Sequence, residues 1–173
     1  MRQRTSHYAE FCPERTAWLE KTLSQRPDSP TIVTLHHPPC NTGIKWMDGD
    51  GDGWAEGLKT VLRKHPQVLR VLVGHVHRAI TSECGGRIVS MGPSTGLQVA
   101  LQIDLNFDIK VDLPECELEQ AGFQLLSWDG KRLVGDIAHT EDYERVLPMT
   151  REQLDAFLAS QHPGPAAEKI YAW

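Results

Sequence analysis

Two short histidine motifs hold the side chains best suited to chemistry: His36-His37-Pro38-Pro39 and, 39 residues after His36, Gly74-His75-Val76-His77. A neutral imidazole offers one nitrogen lone pair, so several brought to one point make a site for a divalent metal ion. A lone His-His at a strand end is ordinarily satisfied by backbone carbonyls. His75 and His77, spaced i, i+2, are expected in extended backbone to point both imidazoles to the same side, but a lone His-x-His is a weak signal. The combination is stronger because of what precedes each motif. Thr31-Ile32-Val33-Thr34-Leu35 and Val68-Leu69-Arg70-Val71-Leu72-Val73 are apolar and rich in β-branched residues, which reads as two buried strands. Sites in open α/β sheets lie beyond the carboxyl ends of such strands.

The rest of the chain must position these tips. Pro13 opens a helix with apolar Trp18, Leu19, Thr22 and Leu23, ending near Arg26-Pro27. A long irregular loop runs from Pro38 to Gly53. Trp54 to Lys64 is helical, with Leu58, Val61 and Leu62 on one face. Strands 32–36 and 68–73 joined through this helix form a crossover, which predicts a parallel pair. Strand-like runs follow at 79–84 and 87–91 around Gly85-Gly86, and from Gly92 the pattern becomes all-β at 98–104, 107–113, 122–128 and 132–138. Asp129-Gly130 between the last two is a hairpin signal. Thr150 and Gln153 form a capping box for a helix carrying Leu154, Phe157 and Leu158. Ile170, Tyr171 and Trp173 give the tail an apolar end.

Composition narrows the function classes. The chain has 173 residues, 40% hydrophobic and 24% charged, with a net charge of −5, which suits one soluble domain with a real core. No basic face stands out, so no nucleic-acid partner is expected. No apolar stretch is long enough to cross a bilayer, and Met1-Arg2-Gln3-Arg4 is not followed by the apolar core of a signal peptide. Cys12, Cys40, Cys84 and Cys116 are scattered without a C-x-x-C pair, as expected of free thiols in a reducing cytoplasm.

His-His-Pro-Pro followed by Gly-His-x-His across a strand–helix–strand resembles the C-terminal half of the calcineurin-like metallophosphoesterases, class III, in the cyclic-nucleotide and glycerophosphodiester phosphodiesterase branch. Thr42-Gly43-Ile44, Trp46-Met47-Asp48 and the hairpin 122–138 support that branch, and the resemblance covers residues 8 to 139. It implies an αββα sandwich of which this chain forms the C-terminal half: the crossover, then mostly antiparallel strands. It also implies divalent ions (Mn, Fe or Zn), binuclear in the intact family. His36 and His75 would hold one ion and His77 its neighbour, with His37, the catalytic candidate, either behind the metal ligands or near the substrate. The activity implied is hydrolysis of a small phosphodiester, either a cyclic nucleotide or a glycerophosphodiester.

The family's first half supplies an Asp-x-His, a Gly-Asp with a bridging aspartate, and an Asn-His pair. No Asp-x-His occurs here, and neither Asn41 nor Asn106 precedes a histidine. The chain is therefore expected to be a half-domain, a partial metallophosphoesterase domain over 1–145 with a C-terminal helix and tail over 146–173. It should hold one weak ion or none, and be weakly active or inactive alone. Its exposed sheet edge should favour homo-oligomers. A non-catalytic oligomerising or binding protein, or a single-metal structural protein, are the rival readings.

Two further segments look weaker. Asp48-Gly49-Asp50-Gly51-Asp52-Gly53 copies the start of a calcium loop, but its twelfth position is Lys59 rather than a bidentate glutamate, so an acidic turn is expected. Gly92-Pro93-Ser94-Thr95-Gly96 lacks the lysine and spacing of a phosphate-binding P-loop and reads as a turn. His65, His139 and His162 are expected at the surface. Ser94 has no His–Asp partners to make it a nucleophile.

Overall fold

The computed structural model describes residues 9–48, 51–101, 116–140 and 150–161. The expected strand 107–113, positions 102–104, His162 and the tail aromatics lie outside them. The fold is mixed α/β, and the chain divides into two compact units, Met1–Glu141 and Asp142–Trp173.

The first unit is built on a four-stranded sheet. Its strands are β1 (Thr31–Leu35), β2 (Val68–Val73), β3 (Ile80–Cys84) and β4 (Arg87–Met91), in the order β1-β2-β4-β3. β1 and β2 are parallel, with Leu35 level with Val73, as the crossover predicts. β4 is also parallel to β2, pairing Val71 with Val89 and Val73 with Met91. β3 and β4 form an antiparallel hairpin around Gly85 and Gly86, at φ +58° and +76°. Two successive positive φ values are what a tight hairpin turn demands and what paired glycines supply.

Helix α1 (Pro13–Ser24) and helix α3 (Glu56–Lys64) cover one sheet face. Leu19 and Leu23 of α1 are buried, as are Leu58, Val61 and Leu62 of α3, and they pack with Val68, Val71, Val73 and Val89. Each such side chain contributes roughly 1.5–3 kcal/mol relative to exposure. Trp18, expected on the apolar face of α1, is instead 65% exposed. His65, expected at the surface, is buried, with Nδ1 3.2 Å from Gln67 and Nε2 3.3 Å from Glu20.

The loop after β1 is more ordered than its sequence indicates. A short helix α2 (Lys45–Asp48) and a 3-10 turn (Gly53–Ala55) interrupt it. Asp48 accepts from the Thr42 amide at 2.8 Å, the Thr42 hydroxyl at 2.7 Å and the Gly43 amide at 2.9 Å. Asp52 pairs with Lys59 at 2.8 Å. Both aspartates thus have protein partners.

Past β4, β5 (Gln98–Val99) and β6 (Cys116–Glu117) pair antiparallel, as do β7 (Gly122–Trp128) and β8 (Leu133–His139). Asp129 Oδ1 accepts from the Lys131 and Arg132 amides at the tip of the second pair, with Gly130 at φ +90°. In the second unit, α4 (Arg151–Gln161) begins with the reciprocal capping pair. The Thr150 amide donates to Gln153 Oε1 at 2.8 Å, and the Gln153 amide to Thr150 Oγ1 at 3.2 Å. All four cysteines are free thiols, with Cys40 and Cys84 buried. Among the described residues, no helix is long and apolar enough to cross a membrane.

Candidate metal centre

The histidine motifs meet because β1 and β2 end level. The Gly74 amide donates to the His36 carbonyl at 3.1 Å, which carries the parallel ladder one residue past both strands. His37 precedes Pro38, so its backbone is held away from the helical region. His75 sits at φ +73°, and the Val76 amide donates back to the Gly74 carbonyl at 2.9 Å. That is a three-residue turn centred on His75. His77 also has a positive φ, +52°.

These dihedrals correct one geometric expectation. An His-x-His pair in extended backbone would point both imidazoles to the same side. Here neither histidine is extended, because the chain turns within the motif while Val76 between them is 1% exposed and belongs to the core. Such conformations cost on the order of 1–3 kcal/mol each and persist where the surroundings fix them.

The turn brings His75 onto His36: His75 Nδ1 lies 3.2 Å from His36 Nε2. The ring centroid of His37 is 4.4 Å from that of His75 and 4.9 Å from that of His36. One nitrogen from each of His36, His37 and His75 falls within 4.8 Å of the others, and this is the group among the described residues able to hold a metal ion. His77 lies outside that group, and its Nδ1 is 3.0 Å from the Leu97 carbonyl. A carbonyl can only accept, so Nδ1 carries a proton, and in the neutral ring the lone pair stays on Nε2.

Burial, reinforced by the nearby His37, His36 and His77, lowers the His75 pKa to about 4. Burial, then repulsion from His36, also lowers that of His37. Both imidazoles are therefore neutral near pH 7, the state a metal ligand requires. Three imidazole nitrogens with room between them suit one divalent ion, with water completing its shell. No carboxylate joins the cluster among the described residues.

The neighbouring turn is closed on itself. Gln98 Oε1 accepts from the Ser94 amide at 2.9 Å, and its Nε2 donates to the Ser94 and Gly96 carbonyls at 2.7 and 3.1 Å. The Gly96 amide donates to Ser94 Oγ at 3.1 Å. These two amides are therefore occupied, consistent with a turn rather than a phosphate cradle. The Leu97 carbonyl and the residues fastening it were not found by sequence reasoning, since a backbone acceptor has no side-chain signature.

No family profile matches the chain. It is similar to a probable glycerophosphodiester phosphodiesterase, GpdQ, of Arcobacter nitrofigilis, at 38% identity over 148 residues, covering 84% of this chain and 52% of the relative. Similarity to the 3',5'-cyclic adenosine monophosphate phosphodiesterase CpdA of Escherichia coli is 35% over 91 residues, 53% of this chain and 33% of that protein. A 3',5'-cyclic-nucleotide phosphodiesterase of Nostoc sp. is 33% identical over 129 residues, 75% of this chain and 44% of its own length. The chain thus spans between a third and about half the length of these curated relatives.

Proposed function

This chain is a relative of the glycerophosphodiester and cyclic-nucleotide phosphodiesterases of the metallophosphoesterase family, and from that premise we propose that it takes part in metal-dependent hydrolysis of a small phosphodiester. The observation that carries the proposal is the convergence of His36, His37 and His75 at the ends of two parallel strands.

In this reading His36 and His75 are ligands, His77 is a ligand to a neighbouring ion through its free Nε2, and His37 lies against the substrate. The tight His36–His37–His75 group favours a variant in which His37 is the third nitrogen of a single ion. A bound divalent ion would supply Lewis acidity toward a phosphoryl oxygen and an acidified water. The chain's own part is to present neutral lone pairs from a preset turn. Three imidazoles carry no negative charge to offset a second cation, so the chain by itself should hold one ion and turn over slowly. The wider proposal places the four-stranded sheet in an αββα sandwich, with a partial domain over 1–145 and a helix and tail over 146–173. It also includes self-association along the open β1 edge, with the cytoplasm as the setting.

Metal content after loading with Zn²⁺ or Mn²⁺ and dialysis, together with hydrolysis of bis(p-nitrophenyl) phosphate, tests this. About one ion per chain and slow turnover, both lost in His75→Ala, are expected. Protein that retains no ion, or turnover indifferent to His75→Ala, refutes it. Metal-independent oligomers without bound ion would favour the assembly protein instead. His37→Ala against His77→Ala decides which of the two completes the set: the ligand's loss releases metal.

A further inference from the structure

Arg78 follows His77 directly, and its guanidinium gathers acceptors from two other stretches of chain. Nε donates to the Val99 carbonyl, Nη2 to Glu117 Oε2 at 2.6 Å and Nη1 to Glu119 Oε2 at 2.5 Å. The Arg78 side chain is 13% exposed, against 46% and 49% for the two glutamates. Val99 is on β5 and Glu117 on β6, and the two strands pair through Gln98 with Glu117 and Val99 with Cys116. One arginine therefore fastens the β5–β6 ribbon to the histidine turn.

That fastening reaches the cluster through Leu97. Its carbonyl, two residues before Val99, meets His77 Nδ1 at 3.0 Å. His77 and Arg78 thus hold the segment 97–99 at two successive points. The left-handed backbone of His77 is an unfavourable conformation that needs such outside support. A guanidinium is suited to the task because its donors form a rigid planar fork, able to satisfy a carbonyl and two carboxylates together.

We propose that Arg78 is a positioning residue. By holding residues 97–99 in place, it keeps the Leu97 carbonyl on His77 Nδ1, which fixes the tautomer of His77 and leaves Nε2 as the nitrogen presented outward. Its purpose rests on the metal-dependent reading above, but its effect on His77 is a property of the metal-free protein and is tested there.

Long-range ¹H–¹⁵N spectra of the histidine side chains, recorded without metal, report the tautomer. The wild-type protein should hold His77 in the Nδ1–H form, and Arg78→Ala should release it to a mixture of both forms. Arg78→Lys keeps the charge without the fork and should not restore the single form. Glu117→Gln with Glu119→Gln, which leaves the arginine in place, should shift His77 partly in the same direction and serves if Arg78→Ala does not fold. Co²⁺ titration gives a second readout: where His77 completes the metal set, Arg78→Ala should lose about 10–100-fold in affinity, the usual effect of removing support from a ligand, and where His37 completes it, neither Arg78→Ala nor His77→Ala should change the affinity. Combined with His77→Ala, Arg78→Ala should cause no further loss. A His77 tautomer unchanged by all three variants, or losses that add, overturns the proposal. A tautomer that follows Arg78 in a protein that binds no Co²⁺ would leave Arg78's role standing and refute the metal-dependent reading.

Discussion

His75 Nδ1 lies 3.2 Å from His36 Nε2 across 39 residues of sequence. The contact follows from the level ends of β1 and β2 and the turn centred on His75. It places imidazoles close enough that protonating one penalises the next.

Acid sensitivity of the metal-free protein follows. An unfolded histidine titrates near pH 6.5, whereas His75 is lowered to about 4 by burial and its three histidine neighbours. Between these values the unfolded chain binds more protons than the folded one, so stability falls as pH falls. The contribution is complete above about pH 6.5 and is lost progressively toward pH 4. Urea midpoints should therefore decrease from pH 7.5 to pH 5, and His75→Gln should flatten the dependence. A midpoint equally steep in that variant would show that the cluster is not the source.

Gln98, 2% exposed, satisfies three backbone groups of the turn at 94–96. Gln98→Leu keeps the volume but strips these partners. Ser94 is half-buried and Gly96 exposed, so water replaces part of the loss, and each hydrogen bond removed costs about 0.5–1.5 kcal/mol. Denaturant unfolding should record a loss of at least that size, and hydrogen exchange at the Ser94 amide should accelerate. Unchanged protection at Ser94 would mean that the turn holds its shape without the side chain.

Gly85 and Gly53 make a matched contrast. Gly85 has φ +58°, and a Cβ there would sit 2.7 Å from the Lys59 carbonyl oxygen of α3. At Gly53 nothing lies within 4 Å and no positive φ is needed. Gly85→Ala should destabilise by more than the roughly 1–3 kcal/mol of the left-handed backbone alone, because the helix must also move. Gly53→Ala should stay within about 0.5 kcal/mol of the parent, as surface substitutions usually do. Equal thermal shifts for the two would contradict the packing of the β3–β4 turn against α3.

Much of the framework was legible along the chain because its signals are short-range. The run before His36, the run before Gly74 and the helix between them set a parallel pair. Asp129-Gly130 marked its hairpin, and Thr150 with Gln153 formed the reciprocal cap. Less was legible where spacing stood in for backbone conformation. The i, i+2 placement of His75 and His77 implied a shared side, yet both residues are left-handed and His77 turns to Leu97.

Residue type and periodicity determined which imidazoles would reach the strand ends and which side chains would form the core beneath them. Tertiary structure decided that His37 joins His36 and His75, that β4 comes to lie beside β2, and that Arg78 ties a distant ribbon to the turn. The physical reason is range. Periodicity and capping act over a few residues, whereas the orientation of an imidazole is set by whichever backbone carbonyl or neighbouring ring the folded chain places beside it.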